Sequence, residues 1–355
     1  MKIAIVHDDL IQWGGAEKVL AEISNIFPDA PIYTAIADLK NPLINQHFKN
    51  KKIITSFLQN LPFLKTLYKP LMPLYPIAFE QFDFSDYDLV ISQTTRFAKS
   101  IITKPKTTHV CYIHTPPRFL WDLSGEKNGK LLNPLFSYLR TFDKVSSKRV
   151  DYWIAGSKNC EERLKKIYNV TSKVLYPFVD TEKLNPEKSF SSDYYLIVSR
   201  LNKYKNVDLA VKAFRNNGRK LKIVGVGPEF NNIRKYSSGD IEILGKVSDT
   251  LLENLLAGCR GLIITAEEDF GMTAIEAQAL GKGVTAYGYG GVLETIIPGK
   301  TGCYFLEKTP ESLNKALEIF ETLKVKPEDC FANAKKFSKE KFKERLLELI
   351  KQSVS

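Results

Sequence analysis

The stretch GLIITAEEDFGMTAIEAQALG, residues 261–281, decides the fold. Residues 262–264 are an apolar run of the length of a buried strand. An acidic turn follows at Glu267, Glu268 and Asp269, then Phe270, Gly271 and Met272, then a helical pattern that stops at Gly281. Strand, turn and helix start in that order make an anion site. The first N–H groups of a helix have no partner within it, and the helix dipole is positive there. Yet two carboxylates flank this site, with seven residues separating Glu268 from Glu276. Unpaired N–H groups beside acidic side chains suit a ligand that is both phosphorylated and rich in hydroxyls, as a nucleotide sugar is. A plainer reading is also open: Thr273 and Glu276 have the spacing of a capping box, and acids near a helix start are stabilising in any case.

Outward from this stretch the same alternation continues. Strand-like runs stand at 194–199, 221–224, 241–244 and 284–286, with helical spacing at 207–214 and 250–257. The first half repeats the pattern, with strands at 3–6, 31–35, 89–92, 109–113, 152–155 and 174–176, a helix at 16–26, and another that Ser157 can cap, running to about Tyr168. Such alternation implies parallel sheets covered on both faces, an α/β architecture. Pro186, Ser189, Ser191 and Ser192 mark a linker-like stretch. They divide the chain into a first domain at 1–180, a second at 181–335, and a tail at 336–355. Charged helices are expected at 310–323 and at roughly 327–352.

The 355 residues are enough for two domains, and 44% hydrophobic with 26% charged residues is the balance of a soluble globular protein. No apolar run reaches the roughly 18 residues that span a bilayer. The opening MKIAIVHDDL is too short in apolar residues for a signal peptide and reads as a first strand. Five scattered cysteines without a CxxC pair point to reduced thiols in a cytoplasmic protein, not to a disulfide frame or a zinc site. The formal charge of +11 favours polyanions: nucleic acid, anionic lipid or phosphorylated substrates. Between Asp38 and Glu80 there is no acidic residue, but there are Lys40, Lys49, Lys51, Lys52, Lys65 and Lys69, mixed with Phe57, Phe63, Tyr68, Tyr75, Phe79 and Phe82. Residues 40–82 therefore suit an anionic membrane surface, unless the aromatics are core and the lysines a solvated rim.

Three further places in the chain carry chemistry. Arg200 directly follows the strand at 194–199, and Lys205 lies five residues on. A diphosphate needs two or more cations on one side, and arginine and lysine supply them differently. His114 ends the strand at 109–113, where ligands sit in open α/β sheets. Gly14 and Gly15 stand in the first strand-to-helix turn, without a full GxGxxG. The carboxylates cannot face phosphates without repulsion, so Glu268 and Glu276 are assigned to hydroxyls, one to a sugar and the other to a ribose. No DxD-type pair calls for a metal; Asp8 and Asp9 lie in the wrong context.

RLNKYKNVDLAVKAF (200–214), EEDFGMTAIEAQALGKGVTA (267–286) and GGVLETI (290–296) resemble the glycosyltransferase family 4 signature. GGAEKVL (14–20) and HTPPRFLWD (114–122) are similar to bacterial mannosyltransferases of O-antigen and exopolysaccharide assembly. The resemblance implies a GT-B fold: two Rossmann-like domains facing across a cleft, with a C-terminal helix crossing back to the first. It implies a retaining, metal-independent hexosyltransferase needing no cofactor beyond its nucleotide-sugar donor. On this chain Arg200 and Lys205 would bind the donor diphosphate, and Gly15 would lie against it. Glu268 and the backbone of Phe270, Gly271, Met272 and Thr273 would hold the sugar, Glu276 the ribose, and Val247 the base. His114 would approach the reacting carbon. The expected reaction moves mannose from GDP-mannose onto a lipid-linked saccharide in cell-surface polysaccharide synthesis, at the inner face of the cell membrane. A UDP-sugar or other donor is the alternative. A nucleic-acid-binding protein or a silent nucleotide-sugar-binding module are alternatives of another class. The acidic character of the sharpest motifs argues against nucleic acid, and the intact Arg200, Lys205, Glu268 and Glu276 argue against silence.

Overall fold

The computed structural model describes residues 1–61, 71–123, 133–181, 184, 190, 192–215 and 217–354. The chain divides into two units: Met1–Tyr176 together with Lys343–Ser355, and Pro177–Phe342. The division falls at Tyr176, a few residues before the 180/181 boundary read from the sequence. The linker residues Pro186, Ser189 and Ser191 lie outside the described residues.

The first unit is built on seven parallel strands: β1 (Ile3–His7), β2 (Ile32–Thr34), β3 (Ile53–Thr55), β4 (Leu89–Thr94), β5 (Thr108–Ile113), β6 (Tyr152–Ala155) and β7 (Lys173–Val174). Their order in the sheet is β3-β2-β1-β4-β5-β6-β7. Residues 4–6 of β1, 89–91 of β4 and 110–113 of β5 are wholly buried, which is why these runs read as continuous apolar segments and not as alternating ones. Each fully buried aliphatic side chain here contributes about 1.5–3 kcal/mol. One aromatic-rich cluster packs Tyr75, Phe79, Phe84 and Phe97 with Val6 and Val90. Ser157 caps the helix Lys158–Tyr168 by accepting from the Cys160 amide at 3.0 Å, as its sequence position suggests.

The second unit carries six parallel strands: β8 (Tyr194–Val198), β9 (Lys220–Val224), β10 (Ile241–Gly245), β11 (Gly261–Ile264), β12 (Val284–Tyr287) and β13 (Gly302–Phe305). The order is β10-β9-β8-β11-β12-β13. Both sheets reverse their strand order once, between β1 and β4 in the first unit and between β8 and β11 in the second. In open α/β sheets such a switch point opens a crevice at the carboxyl ends of the strands.

Three expectations need correction. The charged segment 327–352 is not one helix. It is Pro327–Ala334, a 3-10 turn at Lys335–Phe337, and Lys339–Ser353. The break forms because the Phe337 carbonyl accepts from the Val179 amide at 3.0 Å and the Phe337 ring packs edge-on against Phe270. In the basic window, Tyr75, Phe79 and Phe82 are core residues, not an exposed aromatic face, because this segment covers the first sheet. Among the described residues, Phe57 and Ile77 are the exposed large apolar side chains there. Pro62, Phe63, Lys65, Tyr68, Lys69 and Pro70 lie outside the described residues. Finally, Thr273 and Glu276 form no capping box. Both sit inside the helix Met272–Gln278, whose cap is Gly271 with no side-chain hydrogen bond.

Candidate functional site

Residues singled out in the second half meet at the second sheet's switch point. Ser199 and Arg200 follow β8, and a 3-10 turn at Lys203–Lys205 brings Lys205 back toward β11. The Thr265 hydroxyl, just beyond β11, donates to the Lys205 carbonyl at 2.6 Å and ties this turn to the neighbouring strand end. Lys205 Nζ then donates to Glu268 Oε1 at 2.6 Å. The sequence reading gave these two residues separate partners, a phosphate and a sugar; the structure joins them to each other. The roles remain compatible, because an ammonium has three donors and a carboxylate about four acceptor positions, and one bond uses one of each.

Arg200 is exposed on the loop that leaves β8. That loop is pressed against the end of β9. A Cβ on Gly225 would stand 1.8 Å from the Ser199 carbonyl oxygen, so only glycine permits this approach, and its φ of +143° agrees. At the other flank, Gly271 takes φ 93° and starts the helix Met272–Gln278, which carries Thr273 and Glu276. The Phe270 side chain is buried and turned toward Phe337, so what it offers a ligand is backbone. Val247 is half-buried and packs on the core cluster of Leu256 and Leu262. The Gly290–Gly291 turn closes on the acidic loop, with the Gly291 amide donating to the Glu268 carbonyl at 2.7 Å.

The first unit has its own cluster at its switch point. His114 follows β5, and Gly15 opens the helix Gly15–Ile26 after β1. Between them on β4 stands Gln93, which the sequence reading missed. Its Nε2 reaches the Ala16 carbonyl at 3.0 Å and also bonds His114 Nε2. The Tyr112 ring meets the His114 ring edge-to-face at 5.1 Å.

Asp8 and Asp9, set aside in the sequence as no metal-type pair, prove to be structural groups. Asp8 accepts from the amides of Thr95, Phe97 and Ala98 and from the Thr94 hydroxyl, fixing the loop after β4. Burial by itself would raise the Asp8 carboxyl. The Arg96 charge, His7 and those amides outweigh it and hold the group below the usual carboxylate range. Asp9 pairs with Arg96 at 2.6 Å. No local motif announces either role.

Two parallel-sheet Rossmann-like units, with a lysine–glutamate pair at one switch point and a histidine at the end of β5, define a GT-B transferase. Family models match in succession: Glycosyltransferase Family 4 over residues 13–183 and Glycosyl transferases group 1 over residues 180–337. The chain belongs to the family 4 glycosyltransferases. An uncharacterised glycosyltransferase of Methanocaldococcus jannaschii is 29% identical over 206 residues, 56% of this chain and 58% of the archaeal protein, less than two thirds of its length. An alpha-1,3/1,6-mannosyltransferase of Schizosaccharomyces pombe is 24% identical over 362 residues, 85% of this chain and 70% of that one. Among solved structures, Anabaena HepE in complex with UDP and glucose shares the fold, with a TM-score of 0.71 at 18% identity and 99% of each chain covered. No helix among the described residues is long and apolar enough to cross a membrane.

Proposed function

We propose that this glycosyltransferase transfers mannose from GDP-mannose to a lipid-linked saccharide, with retention at the anomeric carbon and without a metal. The observation that carries this reading is the Lys205–Glu268 pair at the switch point between β8 and β11. Its cation faces the part of a nucleotide sugar that becomes more negative during transfer, and its carboxylate faces the hydroxyls. Departure of a nucleoside diphosphate leaves charge on its outer phosphate. Lys205 and Arg200 stabilise that charge, taking the place a divalent ion has in other sites. Glu268 accepts from sugar hydroxyls while keeping Lys205 in position. The amides at the start of the helix Met272–Gln278 complete the sugar pocket, Glu276 takes the ribose, Val247 borders the base, and Gly15 borders the diphosphate. His114 hydrogen-bonds the sugar near the reacting carbon. Front-face attack by the acceptor hydroxyl needs no protein nucleophile.

Mannose is supported by the mannosyltransferase name of the yeast relative. The UDP and glucose in HepE favour a second reading, a UDP-hexose donor on the same residues. The acceptor is a lipid-linked saccharide, met at an anionic membrane surface on the cytoplasmic side through the lysines of residues 40–82.

Calorimetric titration with GDP and UDP tests the core of the proposal. Arg200→Ala and Lys205→Ala each remove a charged hydrogen bond worth about 1.5–3 kcal/mol, so nucleotide affinity falls roughly ten- to a hundredfold. Unchanged affinity for both nucleotides in both variants overturns the diphosphate assignment. Transfer continues at full rate in EDTA; metal dependence contradicts the role given to the two cations.

A further inference from the structure

We propose that Gln93 is a positioning residue that fixes the proton of His114 on Nδ1. The inference rests on the reading of His114 as a group that meets the donor sugar, and its geometry lies wholly within the first unit.

β4 runs between β1 and β5 in the sheet, and Gln93 lies beside His7 in the register of β1 and β4. Its buried side chain therefore stands between two loops that leave neighbouring strands. On one side is the Ala16 carbonyl, in the first turn after Gly15; on the other is the His114 ring. An amide side chain can be turned either way, and its neighbours decide which. The Ala16 carbonyl is a fixed acceptor. With the Gln93 oxygen toward it, two acceptors would oppose each other, so the NH2 group must face it. That same nitrogen then directs its second hydrogen at His114 Nε2. A nitrogen that receives a hydrogen bond carries no proton, so in the neutral ring the proton is on Nδ1. A doubly protonated ring would set N–H against N–H, and Gln93 disfavours it.

The arrangement has a visible cost. Gln93 Oε1 is buried without a hydrogen-bond partner among the described residues. An apolar residue on β4 would avoid that cost. Gln93 stands where it holds both the Gly15–Ala16 turn and the His114 ring. Its consequence for the ring is direct: the proton sits on Nδ1, and the lone pair at Nε2 is occupied. A sugar oxygen meeting this ring through Nδ1 meets a donor that needs no reorientation.

The test begins with the unaltered protein. The chain has four histidines, so long-range 1H–15N correlation spectra of the full chain labelled on histidine are tractable, with His114→Ala identifying the His114 signals. The expected result is a single Nδ1–H tautomer at His114; a proton on Nε2 overturns the proposal without any substitution at Gln93. In Gln93→Met the His114 signals move toward a mixture of tautomers, and kcat falls about tenfold while nucleotide affinity holds. If His114→Ala slows transfer strongly and Gln93→Met does not, the positioning role fails and the reading of His114 stands. If His114→Ala leaves transfer unchanged, that reading fails, and the role of Gln93 in transfer fails with it.

Discussion

Lys99–Asp143 in the first unit and Lys205–Glu268 in the second are both lysine–carboxylate pairs, yet they differ in what is left over. Lys99 and Asp143 are completely buried. Asp143 also accepts from Trp121 Nε1 and from the Tyr168 hydroxyl, each at 2.7 Å, and Lys99 also donates to the Arg96 carbonyl at 2.9 Å. The pair is sealed, and most of its donors and acceptors are engaged. The side chains of Lys205 and Glu268 keep 13% and 23% of their surface exposed, and a single hydrogen bond joins them. One pair is an internal fastening. The other retains donors and acceptors at a strand end where a ligand can use them. Residual hydrogen-bonding capacity, not charge alone, separates a site from a strut.

The largest way to break this comparison is Asp143→Ala. It leaves a buried ammonium, an indole N–H and a hydroxyl facing an empty space, and breaking a buried pair costs about 3–5 kcal/mol. Urea unfolding should show that loss, while folded protein keeps its nucleotide affinity. A cost below about 1 kcal/mol would mean that the sealed pair holds nothing.

Glu268→Gln sharpens the other side. The pair is partly solvated, so stability should change by no more than about 1 kcal/mol. Transfer should nevertheless fall roughly ten- to a hundredfold, the worth of a charged hydrogen bond to sugar. Thermal melting and a transfer assay on one preparation separate the two. A large drop in melting temperature with an unchanged rate would make this pair a strut as well.

The placement of Lys205 and Glu268 beyond strand ends was legible in the sequence, because strand ends, turns and residue types are local. Their pairing was not: 63 residues separate them, and only the adjacency of β8 and β11 brings them together. Gln93 was invisible for the same reason. A glutamine at the end of an apolar run has no signature until β1 and β5 flank it. The fold was readable wherever strands are buried on both faces, as in β4 and β5. It was not readable at β3, whose three residues are only half-buried and lie among lysines that drew attention to membranes. Nor was β13 seen, since Gly302–Phe305 is short and starts with glycine. The capping box failed because its spacing was present while Gly271 had already turned the chain two residues before Thr273.

The smallest effect concerns pH and again sets one unit against the other. His109 on β5 is fully buried; Ser92 Oγ lies 2.7 Å from its Nε2, and its Nδ1 lies 3.1 Å from the Arg149 carbonyl. A carbonyl can only accept, so Nδ1 carries the proton and Ser92 donates to Nε2. Burial pushes the ring down to about 4, against a smaller upward pull from the Arg149 carbonyl and Asp151. In the unfolded chain the same ring titrates near 6.5. The unfolded state therefore binds the extra proton first. The contribution of His109 is complete above pH 6.5, declines as pH falls from there toward 4, and is constant below. In the second unit Glu321 is drawn down to about 2, chiefly by its hydrogen bond from Arg219, so its contribution is lost only below the usual carboxylate range. Between pH 8 and pH 6 the two groups thus separate: His109 costs the first unit somewhat under about 1 kcal/mol, and Glu321 costs the second nothing. Urea midpoints at those two pH values, for the wild type and for His109→Gln, give the test. The variant should lose part of the wild-type pH dependence; identical slopes would show that the buried ring does not stay neutral as its partners require.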